Sequence, residues 1–299
     1  MRILLLGMNG QVGWELQRSL SPLGELVALD SNSASLCGDF TNLDGLSDTV
    51  RKVAPDIIVN AAAHTAVDRA ESEPGLAQTI NAAAPSVLAR EAKRLDAWLI
   101  HYSTDYVFDG SGKKPWVESD PTGPLNVYGK TKLEGEQLIV QSGCKHLIFR
   151  TSWVYGARGG NFAKTMLRLA REREALKVID DQTGSPTGAD LLADVTAHAV
   201  RMARHNADIS GLYHLVAGGE VSWHGYASFL LGYARKKGIL LKASAIEPVP
   251  TSAFPTPAMR PHNSRLNTEK LQAVFDLHLP HWQSGVERML DEILEGEHD

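Results

Sequence analysis

A glycine-rich segment close to the start of the chain constrains the fold more than any other feature. Gly7, Gly10 and Gly13 form a G-x-x-G-x-x-G pattern between the apolar run 2–6 and segment 11–20, where apolar residues recur at helical spacing. In this context the first glycine turns the chain, the second lets the backbone approach a pyrophosphate, and the third lets the helix pack on the strand. Amide groups at the start of the helix then face the phosphates. The pattern predicts a dinucleotide-binding strand–loop–helix unit.

Apolar runs and helical periodicities alternate through the first half of the chain. The predicted strands are 2–6, 25–30, 56–60, 98–103 and 146–150, and the predicted helices are 11–20, 44–53, 77–92 and 131–141. Nearly continuous apolar strands separated by helices are typical of a parallel sheet covered on both faces. We therefore predict an α/β fold with a doubly wound parallel sheet, the Rossmann arrangement, and right-handed crossovers.

The second half has a looser pattern. The predicted helices are 161–174, 188–204, 223–237, 267–275 and 284–295, and the predicted strands are 177–181 and 211–216. Segment 247–261 holds five prolines, which predicts an ordered loop that crosses a site. The 299 residues suffice for about two domains. We expect a dinucleotide-binding domain over 1–149, to which segments near 179–209 and 255–277 return. A smaller α/β substrate-binding domain, interleaved with the first, is expected mainly over 150–299.

Composition and charge exclude several classes of function. The net charge of −5 and the lack of a long basic run argue against a nucleic acid partner. No apolar run is long enough for a membrane span or a signal sequence, so we expect no membrane association. The two cysteines, Cys37 and Cys144, provide neither a disulfide framework nor a zinc cluster. They favour a reducing, cytoplasmic location.

Acidic and small residues follow the next two predicted strands. Asp30 lies about 20 residues beyond the glycine loop, where a carboxylate can accept hydrogen bonds from the ribose hydroxyls of NAD and repel the 2′-phosphate of NADP. The alternative is an aspartate that only stabilises the turn at 31–32. Asp39 and Phe40 offer a polar contact and an aromatic edge to an adenine. The small residues 61–63 would let the backbone pass close to a cofactor, or are ordinary core residues.

Two residues with a helical spacing suggest proton transfer. Tyr128 and Lys132 form the pattern Y-x-x-x-K, which places both side chains on one face of a helix. A tyrosine with a pKa near 10 is a poor acid–base catalyst at neutral pH, and a neighbouring cation lowers that pKa. Thr104 follows the strand 98–103, at the end where parallel sheets bind ligands, and can donate a hydrogen bond to a substrate carbonyl. We predict that these three residues are catalytic.

The chain resembles the extended short-chain dehydrogenase/reductases, and among them those that act on dTDP-linked 4-keto sugars. The resemblance rests on NAAAHTAVDRAE (60–71), STDYVFDG (103–110), PLNVYGKTKLEGE (124–136), RTSWVYG (150–156), DDQTGSPT (180–187), GLYHLVAG (211–218) and PTPAMRPHNS (255–264). These segments span nearly the whole chain. His64 replaces an expected tyrosine and Thr131 a usual serine. We interpret His64 and His101 as structural or close to the cofactor ribose.

The resemblance implies roles for individual residues. The residues expected at the cofactor are Gly7, Gly10, Gln11, Val12, Gly13, Asp30, Asp39, Phe40, Ala62, Ala63, His64, Thr65, Tyr128 and Lys132. The residues expected at the substrate are Thr104, Asp105, Tyr106, Tyr128, Trp153 and Arg260. Arg260 is a candidate for the substrate diphosphate, with a structural ion pair as the alternative. The cofactor is NADH or NADPH, and the lack of an arginine just after Asp30 favours NADH.

The implied reaction is reduction of the C4 ketone of dTDP-4-dehydro-β-L-rhamnose to dTDP-L-rhamnose, a donor for bacterial surface polysaccharide such as the O-antigen of lipopolysaccharide. Thr104 would polarise the ketone, Tyr128 would protonate the alkoxide, and Lys132 would tune Tyr128. Related dehydratases carry Thr-Asp-Glu after the strand, whereas this chain has Tyr106 in the third position. The alternatives are a nucleotide-sugar epimerase or dehydratase, and a non-catalytic nucleotide-binding regulatory subunit on the same fold.

The last predicted helix carries an acidic face. Glu287, Asp291 and Glu295 recur at helical spacing, and Glu292 lies beside them. A solvated acidic surface is the simpler interpretation. The alternative is a Mg²⁺ site, with Glu292 and Glu295 as ligands, that bridges two subunits of a homodimer.

Overall fold

Six parallel strands form the centre of the protein. The computed structural model describes residues 1–295 and, at Glu295, the backbone alone. The strands, in chain order, are β1 (Arg2–Leu6), β2 (Glu25–Leu29), β3 (Ile57–Asn60), β4 (Trp98–Thr104), β5 (Lys145–Thr151), β6 (Val154–Tyr155), β7 (Ala175–Ile179), β8 (Thr183–Gly184), β9 (Thr187–Gly188), β10 (Gly211–His214), β11 (Val221–Ser222) and β12 (Ala245–Val249). The central sheet has the order β10-β5-β4-β3-β1-β2, with every neighbouring pair parallel. The predicted α/β class with a doubly wound parallel sheet is confirmed.

Helices cover both faces of this sheet. They are α1 (Gln11–Leu20), α2 (Leu43–Val53), α3 (Val67–Ser72), α4 (Pro74–Gln78), α5 (Ala84–Leu95), α6 (Val127–Ser142), α7 (Phe162–Glu172), α8 (Ala189–Ala203), α9 (Trp223–Lys236), α10 (Glu269–Phe275) and α11 (Trp282–Glu295). The apolar stripe of α1 explains its place, because Leu16 and Leu20 are fully buried against the sheet. Each such leucine contributes about 2 kcal/mol of transfer free energy to the fold.

A second core lies beyond the central sheet. Helices α7, α9 and α11 pack together beside the parallel pair β7 and β12, and bury Leu167, Leu230 and Leu290 between them. Three later elements return to the first core instead: α8 packs on α1, β10 forms an edge of the central sheet, and α10 packs beside β10. The polypeptide therefore passes between the two cores more than once.

Three local predictions differ from the structure. The predicted helix 77–92 is α4, a π-helical turn (Thr79–Ala83) and α5 in succession. The helix with Tyr128 begins at Val127 and not at 131. The predicted proline-rich loop 247–261 was wrong at its start, because 247–249 belong to β12. This strand forms its pair with β7 alone, so Pro248 is tolerated there.

Candidate active site

A cavity of about 700 Å³ opens at the carboxyl ends of β1, β3, β4 and β5. The chain leaves β1 toward β2 on one side and returns to β3 on the other, and open α/β sheets bind ligands at such a switch point. The residues named from the sequence that line the cavity are Gly7, Gly10, Gln11, Val12, Asp30, Asp39, Phe40, Ala62, Ala63, Thr65, Thr104, Asp105, Tyr106, Tyr128, Lys132 and Trp153. The structure therefore brings the candidate cofactor, catalytic and substrate residues to one space.

The glycine loop is shaped by close backbone approaches. Gly7 has φ +87°, a conformation that favours glycine, and a Cβ at this position would lie 2.7 Å from the amide nitrogen of Ala62. A Cβ at Gly13 would lie 2.0 Å from the carbonyl oxygen of Gly7, so only glycine lets the first turn of α1 lie this close to the start of the loop. Gly10 precedes α1 and offers no side-chain cap. The first amides of α1 are therefore available to an anion.

Asp30 supports a turn and also faces the cavity. Its carboxylate accepts hydrogen bonds from Asn9 and from the backbone amide of Asn32 and the hydroxyl of Ser33, the last two at 3.0 Å. The interpretation of Asp30 as a turn-stabilising residue is confirmed, and its contact with a ribose stays a prediction. Asp39 accepts hydrogen bonds from the amide and hydroxyl of Thr41, 2.8 Å each.

Two features fix the start of α6 and with it Tyr128. The Asn126 side chain accepts a hydrogen bond from the amide of Gly129, 2.8 Å, and caps the helix. A Cβ at Gly129 would lie 2.2 Å from the carbonyl oxygen of Tyr106, so glycine lets α6 approach the turn that follows β4. The first turn of α6 is thereby held against Thr104 and Tyr106.

Burial controls the acid–base properties of the Tyr128 region. Desolvation raises the pKa of Tyr128 to about 12, although a hydrogen bond with Thr104 acts in the opposite direction. Loss of water is thus the largest influence on the pKa of Tyr128, and the expectation that Lys132 lowers this pKa stays a prediction. Burial also raises the pKa of Asp105 to about 7, against hydrogen bonds from Ser264 and Thr104. Tyr128 thus keeps its proton at neutral pH.

Lys132 is a buried amine. Its side chain is 2% exposed, and its Nζ donates a hydrogen bond to the carbonyl oxygen of Tyr102, 2.6 Å. Desolvation lowers its pKa to about 8, although the charge of Glu136 acts to raise it. Burying a cation costs free energy. The position of Lys132 at the cavity wall therefore favours a catalytic role.

The indole of Trp153 forms one wall of the cavity. Its backbone has φ +49°, which is rare for a bulky residue and costs of order 1–3 kcal/mol. Trp153 stacks on Trp223 with ring centroids 3.5 Å apart, and a Cβ at Gly184 would meet the indole at 2.8 Å. Trp223 is not among the residues named from the sequence, because it lies some 70 residues from Trp153 and in no recognised motif.

A second cavity of about 250 Å³ adjoins the first, and Tyr106 and Trp223 line both. Phe162 and Phe254 supply aromatic walls, and Arg260 lies at its edge. Arg260 forms a bidentate ion pair with Asp68, with distances of 3.1 and 2.7 Å. The structure thus shows the ion pair that the sequence left as an alternative.

Other residues named from the sequence have different surroundings. Within the described part of the chain, Gly13 and His64 do not line the large cavity. The His64 imidazole faces Glu73 at 3.5 Å. Among the described residues, no group of three or more His, Cys, Asp or Glu side chains could hold a metal ion, and the side chain of Glu295 lies outside the described set. Asp291 pairs with Lys237 at 2.7 Å, so the acidic face of α11 is partly neutralised.

Within residues 1–295, no helix combines the length and the apolarity needed to cross a bilayer.

Comparisons with known proteins agree with this site. The family described as the RmlD substrate binding domain matches residues 1–295. The dTDP-4-dehydrorhamnose reductase of Shigella flexneri is 61% identical over 98% of both chains. The crystal structure of such a reductase from Clostridium acetobutylicum has a TM-score of 0.88 at 35% identity and covers 98% of this chain and 100% of its own. That from Bacillus anthracis, solved in complex with NADP, has a TM-score of 0.86 at 36% identity and covers 97% and 99%. The chain therefore belongs to the dTDP-4-dehydrorhamnose reductase family.

Proposed function

We propose that Thr104, Tyr128 and Lys132 carry out the reaction of this family in this chain. That reaction is the NAD(P)H-dependent reduction of the C4 ketone of dTDP-4-dehydro-β-L-rhamnose to dTDP-L-rhamnose, the last step of dTDP-rhamnose biosynthesis, and the chain is an oxidoreductase of this kind. The observation that carries the residue assignment is the convergence of all three side chains on one cavity beside the glycine loop.

The residues present fit a nicotinamide dinucleotide. The uncapped amides at the start of α1, where Gly10, Gln11 and Val12 line the cavity, suit a pyrophosphate. Asp30, at the end of β2, suits the adenosine ribose. When bound, the dinucleotide supplies a hydride. The relative from Bacillus anthracis was solved with NADP. We infer that this chain uses both dinucleotides and that Asp30 favours NADH.

Tyr128 acts as the acid. Because its pKa is about 12, the phenol is protonated at neutral pH and can give its proton to the alkoxide that forms at C4. Thr104 Oγ1 donates to Asp105 at 3.1 Å in this structure and needs only a rotation of its hydroxyl to polarise the ketone oxygen. The ammonium of Lys132 stabilises the phenolate that Tyr128 leaves behind.

The nucleotide half of the substrate occupies the adjoining cavity. Trp223, which stacks on Trp153, lines both spaces, and we therefore place the sugar on the side of Tyr128 and the base on the side of Phe162 and Phe254. Aromatic walls bind a pyrimidine by stacking. Arg260 lines the adjoining cavity and binds the diphosphate in place of its present partner, Asp68.

Other chemistries are less well supported. A dehydratase needs a further carboxylate at the place of Tyr106, whose ring packs edge-on against Tyr128 with centroids 5.6 Å apart. A regulatory subunit would have no need of a lysine buried to 98% at the wall of the cavity.

The wider organisation is also part of this proposal. The first core serves the dinucleotide and the second core serves the sugar nucleotide, with α8, β10 and α10 belonging to the first. A homodimer through the acidic face of α11, with Mg²⁺ at Glu292 and Glu295, and a cytoplasmic location stay predictions. Sedimentation with and without EDTA tests the bridge, because an unchanged mass would exclude it.

A Tyr128→Phe variant tests the proposed acid. We expect a fall in kcat of about 10²–10⁴-fold, because the proton for the alkoxide is lost while the ring stays in place. Dinucleotide affinity should hold, which separates the acid role from a binding role. Tyr233→Phe, on α9, serves as the control. Turnover is followed by loss of the dihydronicotinamide absorbance, and full activity of Tyr128→Phe would contradict the assignment.

A further inference from the structure

A buried row of polar contacts connects the end of β3 to Lys132. Asn60, His101 and Lys132 are each only 1–2% exposed. Asn60 lies beside His101 in the register of β3 and β4, with Asn60 Nδ2 3.0 Å from His101 Nδ1. The other ring nitrogen, Nε2, lies 3.2 Å from Lys132 Nζ. No step proposed above uses His101.

The backbone fixes the direction of these contacts. The amide of Ala62 donates to Asn60 Oδ1 at 3.0 Å, so the NH₂ group of Asn60 must face His101. His101 Nδ1 then accepts this hydrogen bond and carries no proton. A neutral imidazole has one proton, which is therefore on Nε2. Burial, together with the charge of Lys132, holds the pKa of His101 well below its ordinary value, so the ring is neutral.

This tautomer directs an N–H group at Lys132. An ammonium can only donate hydrogen bonds. It therefore forms no hydrogen bond with His101 Nε2–H, which is also a donor. An amine has a lone pair and accepts from Nε2–H, while one of its own N–H groups still donates to the carbonyl oxygen of Tyr102. The surroundings of Nζ are therefore complementary to the amine and not to the ammonium.

We propose that His101 is a positioning residue that weakens the hold of Lys132 on its proton and binds the amine form of Lys132 during turnover. The inference rests on the proposed roles of Tyr128 and Lys132. In the step it supports, the O–H bond of Tyr128 breaks as the product hydroxyl forms. An N–H bond of Lys132 then breaks as the phenol of Tyr128 forms again. The resulting amine accepts from His101 Nε2–H, and one proton taken up from bulk solvent restores the ammonium after the product leaves.

Other groups around Lys132 act on the same equilibrium. On α6 this is Glu136, which is itself paired with Arg150 of β5 at 2.6 Å, and Tyr128 lies one turn before Lys132. Asp105, after β4, faces Tyr128. From the π-helical turn comes only the neutral Asn81, which donates to Thr131 at 3.1 Å. Among the described residues in contact with Nζ, His101 is thus the one whose hydrogen bond forms with the amine and not with the ammonium.

A His101→Gln variant tests the inference through the pH profile. Glutamine can turn its carbonyl oxygen to Lys132 and accept from the ammonium. The basic limb of the kcat profile, where Lys132 loses its proton, should move to higher pH by about one unit, a tenfold change in proton affinity. His101→Leu, which removes the N–H without supplying an acceptor, should move the limb in the same direction by less. His146→Gln, on β5 and in contact with the carbonyl oxygen of Cys144, should leave the profile unchanged.

A merely structural role for His101 predicts a different outcome, in which kcat falls equally at all pH values and the limb stays in place. That result, or a limb that moves to lower pH, would overturn the inference. Long-range ¹H–¹⁵N spectra of histidine-labelled protein supply a readout that does not need activity, with His101→Gln to assign the signal. We expect a protonated Nε2 and an unprotonated Nδ1, and the opposite tautomer would overturn the inference even if Lys132→Met proved Lys132 essential.

Discussion

At the scale of the residue, the site depends on groups whose charge is changed by burial. Tyr128, Asp105 and Lys132 all favour their neutral forms relative to exposed groups, with pKa values of about 12, 7 and 8. The common cause is loss of water at the inner end of the cavity. Ionisation at this site therefore responds to any ligand that excludes further water.

Asp105 makes substrate binding depend on pH. Because burial raises its pKa to about 7, the carboxyl is protonated below that pH and can donate to a sugar hydroxyl. Above it, the carboxylate no longer donates and repels the dianionic substrate. We expect KM for the sugar nucleotide to rise as pH increases through about 7, and Asp105→Asn to remove this rise. Asp109→Asn, at an exposed position, should keep it, and a rise that persists in Asp105→Asn would contradict the assignment.

Asp30 provides a test of the dinucleotide preference. Its carboxylate lies at the cavity wall and repels a 2′-phosphate, so Asp30→Asn should improve kcat/KM for NADPH relative to NADH by about tenfold, or 1.4 kcal/mol. Since Asn32 and Ser33 donate to the carboxylate, the turn loses one acceptor, and thermal unfolding checks that it survives. Asp39→Asn gives a matched comparison in the next loop. An unchanged ratio in Asp30→Asn would show that its charge does not select the dinucleotide.

At the scale of the element, α6 determines whether the catalytic set is assembled. Gly129→Ala would place a methyl group 2.2 Å from the carbonyl oxygen of Tyr106, so α6 must move away from the turn after β4. We expect a lower Tm and a fall in kcat of at least about tenfold, since small displacements of catalytic groups are costly. Gly75→Ala, in α4, meets nothing within 4 Å and should leave the Tm unchanged or raise it. A Gly129→Ala variant with full kcat would contradict this account of the helix.

Helix α6 also shows how much of the structure could be predicted from the sequence. Periodicity identified its body, and the Y-x-x-x-K pattern correctly placed Tyr128 and Lys132 on one helix. Its start was missed by four residues, because Gly129 lowers helix propensity and the cap at Asn126 depends on contacts with distant chain. Asn126 also donates to the carbonyl oxygen of Met259, a contact that local patterns do not contain.

Contacts across the sheet escaped the sequence analysis for a similar reason. His101 was interpreted as structural or close to the ribose, and its neighbours Asn60 and Lys132 follow only from strand register and helix packing. Trp223 was missed because its stacking on Trp153 joins two distant segments. In contrast, the glycine loop and the residues after β3 and β4 were found, because their roles depend on short spacings next to buried strands.

At the scale of the whole molecule, segments from the second half of the chain complete the first core. Leu192 of α8, Tyr213 of β10 and Phe275 of α10 lie in the same buried cluster as Leu5 of β1 and Leu16 of α1. A fragment of residues 1–149 would expose this surface, so we expect it to lack a cooperative thermal transition and to bind no dinucleotide. The intact chain is the control. Cooperative unfolding of the fragment with NADPH binding would contradict a shared unit and would favour two separable domains.

Because β10 forms an edge of the central sheet, this sheet is completed only late in the synthesis of the chain. As the ribosome releases the chain from its amino terminus, the glycine loop and β1–β5 emerge first, but β10, the second partner of β5, begins 60 residues after β5 ends. Until then the edge of β5 has unpaired backbone groups, which invite pairing with another nascent chain. The helix α10, which packs beside β10, arrives later still. The dinucleotide site is thus encoded early in translation and completed near its end.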